Sequence, residues 1–423
     1  MGKHIDYRTK FESFSGKTLY EKLPVSERQL IRRFAFDYRL TFQEFRQIVE
    51  ASRDLSMWHE GGIDAWWQSF KQNRPVSDKR LFIGTLNRHL DQLRAAPKSY
   101  RKKTDRKAIA RDSKRIVLQN SGKKIYGMCP VASDKTVCCN LRTIDVVENC
   151  VFGCSYCTIQ TFYTDDIRIE KNIAEKLDRI ELDHNRFYHF GTGQASDSLA
   201  WGNREGILDA HFRLARKYPN MLLEFKTKSK NIEHFLISDV PANIVCSWSL
   251  NPQIVIDHEE HFTAALDERL TSARKLSDRG IKVAFHFHPM VYYDGWENDY
   301  TGIAGALMER FVPEEVLFIS FGSVTLIKPV VQKIRELGNP TKILQMRLVP
   351  DPHGKLTYPD EIKIRMFSLM HGTFRTWHKK VFFYLCMEKR SIWESSLGYA
   401  WPTNERFEQE FGKQTMRKIR NSD

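Results

Sequence analysis

The chain has 423 residues, 41% hydrophobic and 28% charged, with a formal charge of +14. That length accommodates one large α/β domain and a smaller appendage, and the composition is that of a soluble globular protein. No apolar stretch reads as a secretory signal or a membrane span, so no membrane partner is expected; in the expected cytoplasmic setting the eight cysteines serve metal or catalysis rather than disulfides.

Residues 1–97 read as a helical N-terminal region. SERQLIRRFAFDYRL and FQEFRQIVEASRDLSMW carry apolar residues at three- and four-residue spacing, with Ser26 and Glu27 as a helix-start signal. Trp58, Trp66 and Trp67 are expected in the core of this region. A basic linker, 98–125, follows. Between Lys98 and Lys124 eleven Lys or Arg stand against two acids, Asp105 and Asp112. Such a cluster attracts polyanions, DNA or another nucleic acid foremost, although a solvated linker without a ligand fits the charge equally well.

From 126 to 340 short apolar strands alternate with amphipathic helices. The predicted strands are 141–148, 186–191, 221–227, 243–249, 281–287 and 315–321; the predicted helices are 165–182, 203–218, 263–279 and 299–311. Alternation of this kind implies parallel pairing with right-handed crossovers. Six units predict an α/β fold with a partial (β/α)6 TIM-like barrel, its chemistry at the C-terminal ends of the strands. Residues 341–423 read as a C-terminal α/β extension, in which 343–348 and 381–386 either extend the sheet or form a lid.

Directly after the first predicted strand stands VENCVFGCSYCTIQ, which spaces Cys150, Cys154 and Cys157 as C-x3-C-x2-C. Soft thiolates select iron–sulfur clusters or zinc, and no fourth ligand at finger-like spacing completes a zinc site. Three thiolates on a [4Fe-4S] cluster leave one iron open, which S-adenosylmethionine (SAM) can chelate through its amino and carboxylate groups. Reduction of such a cluster cleaves the sulfonium to a 5′-deoxyadenosyl radical. Gly153 is expected to let the backbone turn tightly around the cluster.

This pattern resembles the radical SAM superfamily, and the longer match is similar to the spore photoproduct lyase family. The matching stretches run from Cys150 to about Gly398: GQASDSL (193–199), EFKTK (224–228), SWSLN (247–251), MVYYDGWENDY (290–300), SFGSVT (320–325) and YLCMEKRSIWESSLG (384–398). Residues 1–125 lie outside it. The resemblance implies that Ser196, Lys228 and Ser249 hold SAM, that Gly191, Gly193 and Gln194 belong to the stretch contacting its amino group, and that Tyr156 lies near the adenine. It also implies a reductant such as flavodoxin or ferredoxin. Two positions depart from the family. The lyase places a hydrogen-donating cysteine where this chain has Gln194, and a tyrosine where it has Thr158.

Other residues invite a role. His286 and His288 share a strand face expected to point into the barrel, suited to substrate contact or proton transfer. Cys386 is a candidate replacement hydrogen donor. Cys129, Cys138 and Cys139 could ligate an auxiliary cluster or zinc, but they fit no recognised ligand spacing and read as ordinary buried or free thiols, and Cys246 should face the helices with Trp248. Tyr292, Tyr293, Trp296 and Tyr300 either stack on a base or pack their loop. The leading expectation is a lyase-like radical SAM enzyme acting on nucleic acid, in DNA photolesion repair or a related reaction. The alternatives are a radical SAM enzyme modifying a protein, tRNA or small molecule, and a cluster-carrying nucleic-acid binding module without catalysis.

Overall fold

The computed structural model describes residues 6–73, 78–100, 114–129, 135–162 and 165–420; most of the basic linker, 101–113, lies outside the described residues. The chain divides into two compact units, one of 1–109 with 326–348, the other of 110–325 with 349–423.

The first unit is helical: Tyr7–Ser15, Val25–Tyr38, Phe42–Trp58, Ile63–Asn73, Lys79–Ala95 and Lys328–Leu337. Its core is aromatic, with Phe34 centred 4.6 Å from Trp67 and 5.0 Å from Phe82, and Trp58 fully buried, as the spacing of these residues predicts. Ser26 is not a cap, because the helix already begins at Val25 after Pro24. The true start signal is the reciprocal pair Thr41 and Glu44 ahead of the third helix. Arg335 binds Asp54 through two hydrogen bonds of 2.8 Å and Glu50 at 2.9 Å. Segment 343–348 extends no sheet: Ile343–Gln345 is a buried 3-10 turn of this unit.

The second unit is built on a curled eight-stranded half-barrel: β1 (Tyr126–Met128), β2 (Arg142–Ile144), β3 (Tyr188–Thr192), β4 (Met221–Thr227), β5 (Ile244–Ser249), β6 (Lys282–Met290), β7 (Val316–Ser323) and β8 (Phe382–Leu385). The spatial order follows the chain from β1 to β8. All neighbours are parallel except β1 and β2. Strands β2 to β7 are the six predicted from sequence, and 381–386 supplies the eighth.

Alternation along each strand sends one set of side chains outward under the helices. Phe225 centres 5.5 Å from Phe235, and Phe285 5.3 Å from Phe311. Cys246 and Trp248 pair with Phe225 and Thr227 on this face, as their parity predicts. The other set points inward, where Thr143, Gly191, Glu224, Lys226, Ser247, Ser249, His286, Ser320 and Tyr384 follow one another across the register. The C-terminal helix Asn404–Arg420 packs Phe411 against His189, Phe318 and Tyr384.

Two predicted boundaries move. Stretch 141–148 splits: Val147–Glu148 leaves the barrel sheet and pairs antiparallel with Ile167–Glu170. That second partner removes the first half of the predicted helix 165–182, which is reduced to Ile173–Asp178 after Asn172 at φ +56°. The alternation in IRIE, buried on one face, is a strand period.

Candidate active site at the rim of the half-barrel

The cysteine loop leaves the C-terminal side of β2. Asn149, buried at φ +72°, makes the turn into Cys150, and its amide donates to the Asp166 carbonyl. Gly153 is not the turning residue. It lies in a two-residue strand with Cys154, paired antiparallel with Glu260–His261, and an added Cβ would meet His261 only at ordinary contact distance, 3.4 Å. Ser155 N–H donates to the Glu259 carbonyl at 2.8 Å, and Cys157 N–H to the Cys154 carbonyl at 3.1 Å. The thiols of Cys150, Cys154 and Cys157 lie within one another's electrostatic reach. Burial, then the neighbouring Asp197 carboxylate, pushes Cys150 up to about 12. Burial likewise raises Cys154, against the attraction of Lys228. No cysteine forms a disulfide. Among the described residues no three His, Cys, Asp or Glu converge on a single ion. Three thiolates without a fourth protein ligand suit an iron–sulfur cluster better than a structural zinc.

The stretch after β3 lies against this loop. Gly193 has φ +87°, and a Cβ there would lie 2.6 Å from Ser198 Oγ and 2.8 Å from the Lys226 carbonyl. Gly191 lets Leu141 and the Lys226 stem close over β3, at 3.2 and 3.4 Å from the missing Cβ. Gln194 is half-buried, and Ala195 N–H donates to Asp145 at 2.9 Å. Ser196 is buried, its hydroxyl accepting from Trp201 Nε1 at 3.1 Å. Asp197 holds the next turn together: it accepts from Leu199 N–H, Ala200 N–H and Thr227 Oγ1 at 3.0, 2.9 and 2.8 Å, and from Lys228 N–H at 2.7 Å. The Lys228 ammonium stands 5.9 Å over the Tyr156 ring. The Tyr156 hydroxyl donates to Glu260, so its tip is fixed by the protein while its ring faces Lys228. Ser249, at the end of β5, pairs with His286 on the inward face, and its carbonyl accepts from Arg269 at 2.7 Å.

Glu260 escaped sequence reading. It is fully buried and also binds Arg269 at 2.6 Å and Asn251 at 2.7 Å. Burial alone would raise its pKa, yet Arg269 and Lys228 hold it down to about 2. Only a pairing across 104 residues joins it to Tyr156, and no local spacing announces that.

A second missed feature is the polar interior. Glu224 accepts from Ser247 at 2.6 Å, meets His189 at 2.9 Å and His286 at 2.5 Å, and has Lys226 at 3.6 Å. The other His286 nitrogen meets Ser320. Both ring nitrogens of His286 are therefore occupied, inside the barrel as its parity predicts. Burial lowers the pKa of His189 and His286 despite Glu224. It pushes His288 down to about 3, followed by the charges of His286, Lys226 and Lys228. His288 is half-buried, nearer the rim, against Gly322.

Cys386 follows β8, its N–H donating to the Phe321 carbonyl at 2.9 Å, with Lys226 and Cys129 nearby. The aromatic loop after β6 packs rather than opens. Tyr293, Trp296 and Tyr300 are buried, and Tyr300 donates to Asn251 at 2.6 Å. Of the basic positions, Lys98 is buried with its ammonium on the Arg94 carbonyl at 2.8 Å, and burial pushes it down to about 8. Arg115 pairs with Asp166 at 3.2 Å and Lys123 with Glu148 at 2.8 Å.

The family profile described as spore photoproduct lyase matches residues 134–345. The spore photoproduct lyase of Geobacillus sp. (strain Y412MC61) is 24% identical over 208 residues, which cover 47% of this chain and 61% of that protein. The one from Bacillus subtilis (strain 168) is 25% identical over 179 residues, covering 41% and 52%. The chain thus spans only about half to three fifths of the length of these curated relatives. A solved spore photoproduct lyase mutant with dinucleoside spore photoproduct superposes with a TM-score of 0.55 at 19% identity, over 64% of this chain and 82% of that one, and shares its fold. The profile match contains the cysteine loop, the Asp197 turn and strands β2 to β7, and by taking in half of the sequence it shows that this chain belongs to the spore photoproduct lyase family.

Proposed function

We propose that this protein is a radical SAM enzyme acting on nucleic acid, in photolesion repair or a closely related reaction. One observation carries the reading: the three cysteine thiols, the Asp197 turn and the Lys228 ammonium meet at one rim of the half-barrel. A merely structural cluster has no use for a half-buried cation and a glycine-lined turn beside it. Support for the substrate class comes from solved spore photoproduct lyase structures, one with dinucleoside spore photoproduct and one with bound AdoMet as well.

Cys150, Cys154 and Cys157 would hold a [4Fe-4S] cluster. When bound and reduced, for instance by a flavodoxin or ferredoxin, such a cluster supplies the electron that cleaves SAM to a 5′-deoxyadenosyl radical. The chain's own part is binding and orientation. Lys228 offers the only ammonium against the Tyr156 ring among the described residues, and it suits a carboxylate. Gly191, Gly193 and Gln194 form the stretch beside the cysteine loop that would meet an amino group, and Ser196 and Ser249 offer hydroxyls at the same rim. Tyr156, fixed through Glu260, presents an apolar ring to an adenine. His286 braces Glu224, and His288, closer to the mouth, is placed for substrate contact. Cys386, the sequence candidate for hydrogen donation, stands in a group of cysteines that suggests another use.

Gln194 and Thr158, in place of the family's cysteine and tyrosine, favour a second reading in which the radical acts on a protein, tRNA or small molecule. Anaerobic reconstitution with iron and sulfide, followed by electron paramagnetic resonance with and without SAM, tests the shared core of both. A reduced four-iron signal that SAM shifts, absent after Cys150, Cys154 and Cys157 are changed to Ala, is the expected result. A cluster indifferent to SAM would refute both readings. Stimulation of SAM cleavage by irradiated DNA then separates the first from the second.

A further inference from the structure

The eight cysteines divide unevenly in space. Three form the rim loop, and Cys246 is buried in the barrel wall. The other four come from three chain segments that meet where the open sheet would close. Strands β1 and β8 are its two edges, with six strands between them. The chain between β1 and β2 spans that gap. Val137 forms an antiparallel bridge with Glu388, just beyond β8, and its N–H donates to the Glu388 carbonyl at 3.0 Å. Beside this bridge the Cys139 thiol lies within electrostatic reach of Cys138 and Cys386, and Cys386 within reach of Cys129 and Cys138. On the other side Cys129 continues the β1–β2 ladder, its N–H donating to the Leu141 carbonyl at 2.9 Å, two residues from Cys139. Cys138 is adjacent, its N–H held by Asn404 of the C-terminal helix at 2.8 Å. All four are thus brought together at the seam by backbone pairing.

The hydrogen bond to Cys138 and burial raise the pKa of Cys139, burial raises that of Cys386, and Lys226 pulls both the other way. Lys226, on the inward face of β4, is within electrostatic reach of Cys129, Cys139 and Cys386, and it stays charged against burial with the help of Glu224 and then these thiols. Four thiolates on an iron–sulfur core carry net negative charge, and a buried ammonium beside them offsets it.

We infer that Cys129, Cys138, Cys139 and Cys386 ligate a second iron–sulfur cluster at the seam of the half-barrel. It rests on the rim cysteines only in sharing their chemistry. Four cysteines are a full ligand set, so this cluster leaves no iron for SAM. It also ties the two sheet edges to one another.

The test is iron and acid-labile sulfide analysis of the full-length chain after anaerobic reconstitution. Wild type should hold about eight irons, and about four should remain when Cys150, Cys154 and Cys157 are all changed to Ala. That variant leaves the seam untouched, so the test does not depend on a seam variant folding. Changing the four seam cysteines to Ser should leave about four irons whose resonance SAM still shifts. Wild type with about four irons and a rim variant with none would overturn the second cluster and leave the proposed function intact. Zinc instead of iron in the rim variant, or a Cys139–Cys386 disulfide resistant to reduction, would overturn it too. If the seam variant drops to about four irons whose resonance ignores SAM, the proposed function fails and the second cluster survives.

Discussion

Gly193 and Gly153 lie 40 residues apart near the same cysteines, yet their backbones ask for different things. At Gly193 a side chain must adopt φ +87° and sit 2.8 Å from a backbone carbonyl that cannot yield. Gly193→Ala should therefore cost roughly 2–3 kcal/mol, the left-handed penalty plus the clash. Gly153→Ala meets only ordinary contacts and should cost less than about 1 kcal/mol. Urea midpoints of the two variants check this, and equal losses would contradict it. Sequence alone suggested the reverse emphasis, since Gly153 stands inside the cysteine motif. The rim cysteines, Lys228 and Ser196 were legible because motif residues cluster along the chain. Glu224 and Glu260 were not, because register and burial join Glu224 to His189 and His286, and Glu260 to Tyr156, across 35 to 104 residues.

Elements were legible where one period ran unbroken. MLLEFKT is buried on both faces and became β4 with the predicted bounds. Stretch 141–148 broke because its second half found a partner at 167–170, a tertiary preference that no local pattern carries. Helices are locked to strands by charge at the opposite end of the barrel from the site. Arg274, on the helix Leu266–Asp278, grips Glu315 just before β7 through two hydrogen bonds, one of 2.8 Å and one of 2.5 Å, and Val312 N–H donates to the same carboxylate at 2.8 Å. Arg274 holds Glu315 down to about 2, against a little burial. A carboxyl depressed in the folded state stabilises fully above its unfolded pKa, and that contribution fades as pH falls toward the folded value. Glu315→Gln should lower stability at pH 7 by roughly 1.5–3 kcal/mol. The gap should close between an unfolded value of about 4.3 and the folded value. Denaturant titrations at pH 7 and near the lower end of that window decide it; a gap independent of pH would mean the ion pair contributes nothing beyond its shape.

At the scale of the whole molecule the charge of +14 remains the strongest pointer to a polyanion, and the structure narrows where that charge is available. Lys98 is buried with its ammonium on a backbone carbonyl, whereas Arg115 and Lys123 pair with Asp166 and Glu148 at the exposed surface. Arg101, Lys102, Lys103, Arg106, Lys107 and Arg111 lie outside the described residues and carry the densest run of charge in the sequence. If nucleic acid is the substrate, each of these that meets a phosphate releases counterions on binding, steepening the fall of log K with log salt by about 0.9 on duplex DNA and about 0.7 on a single strand. Changing the six to Gln should therefore make that slope shallower by several such increments, while SAM binding at the rim, measured separately, stays as in wild type. Changing the buried Lys98 instead should leave the slope nearly untouched. An unchanged slope in the six-residue variant would place the polyanion elsewhere on the protein and turn the search toward the mouth of the half-barrel itself.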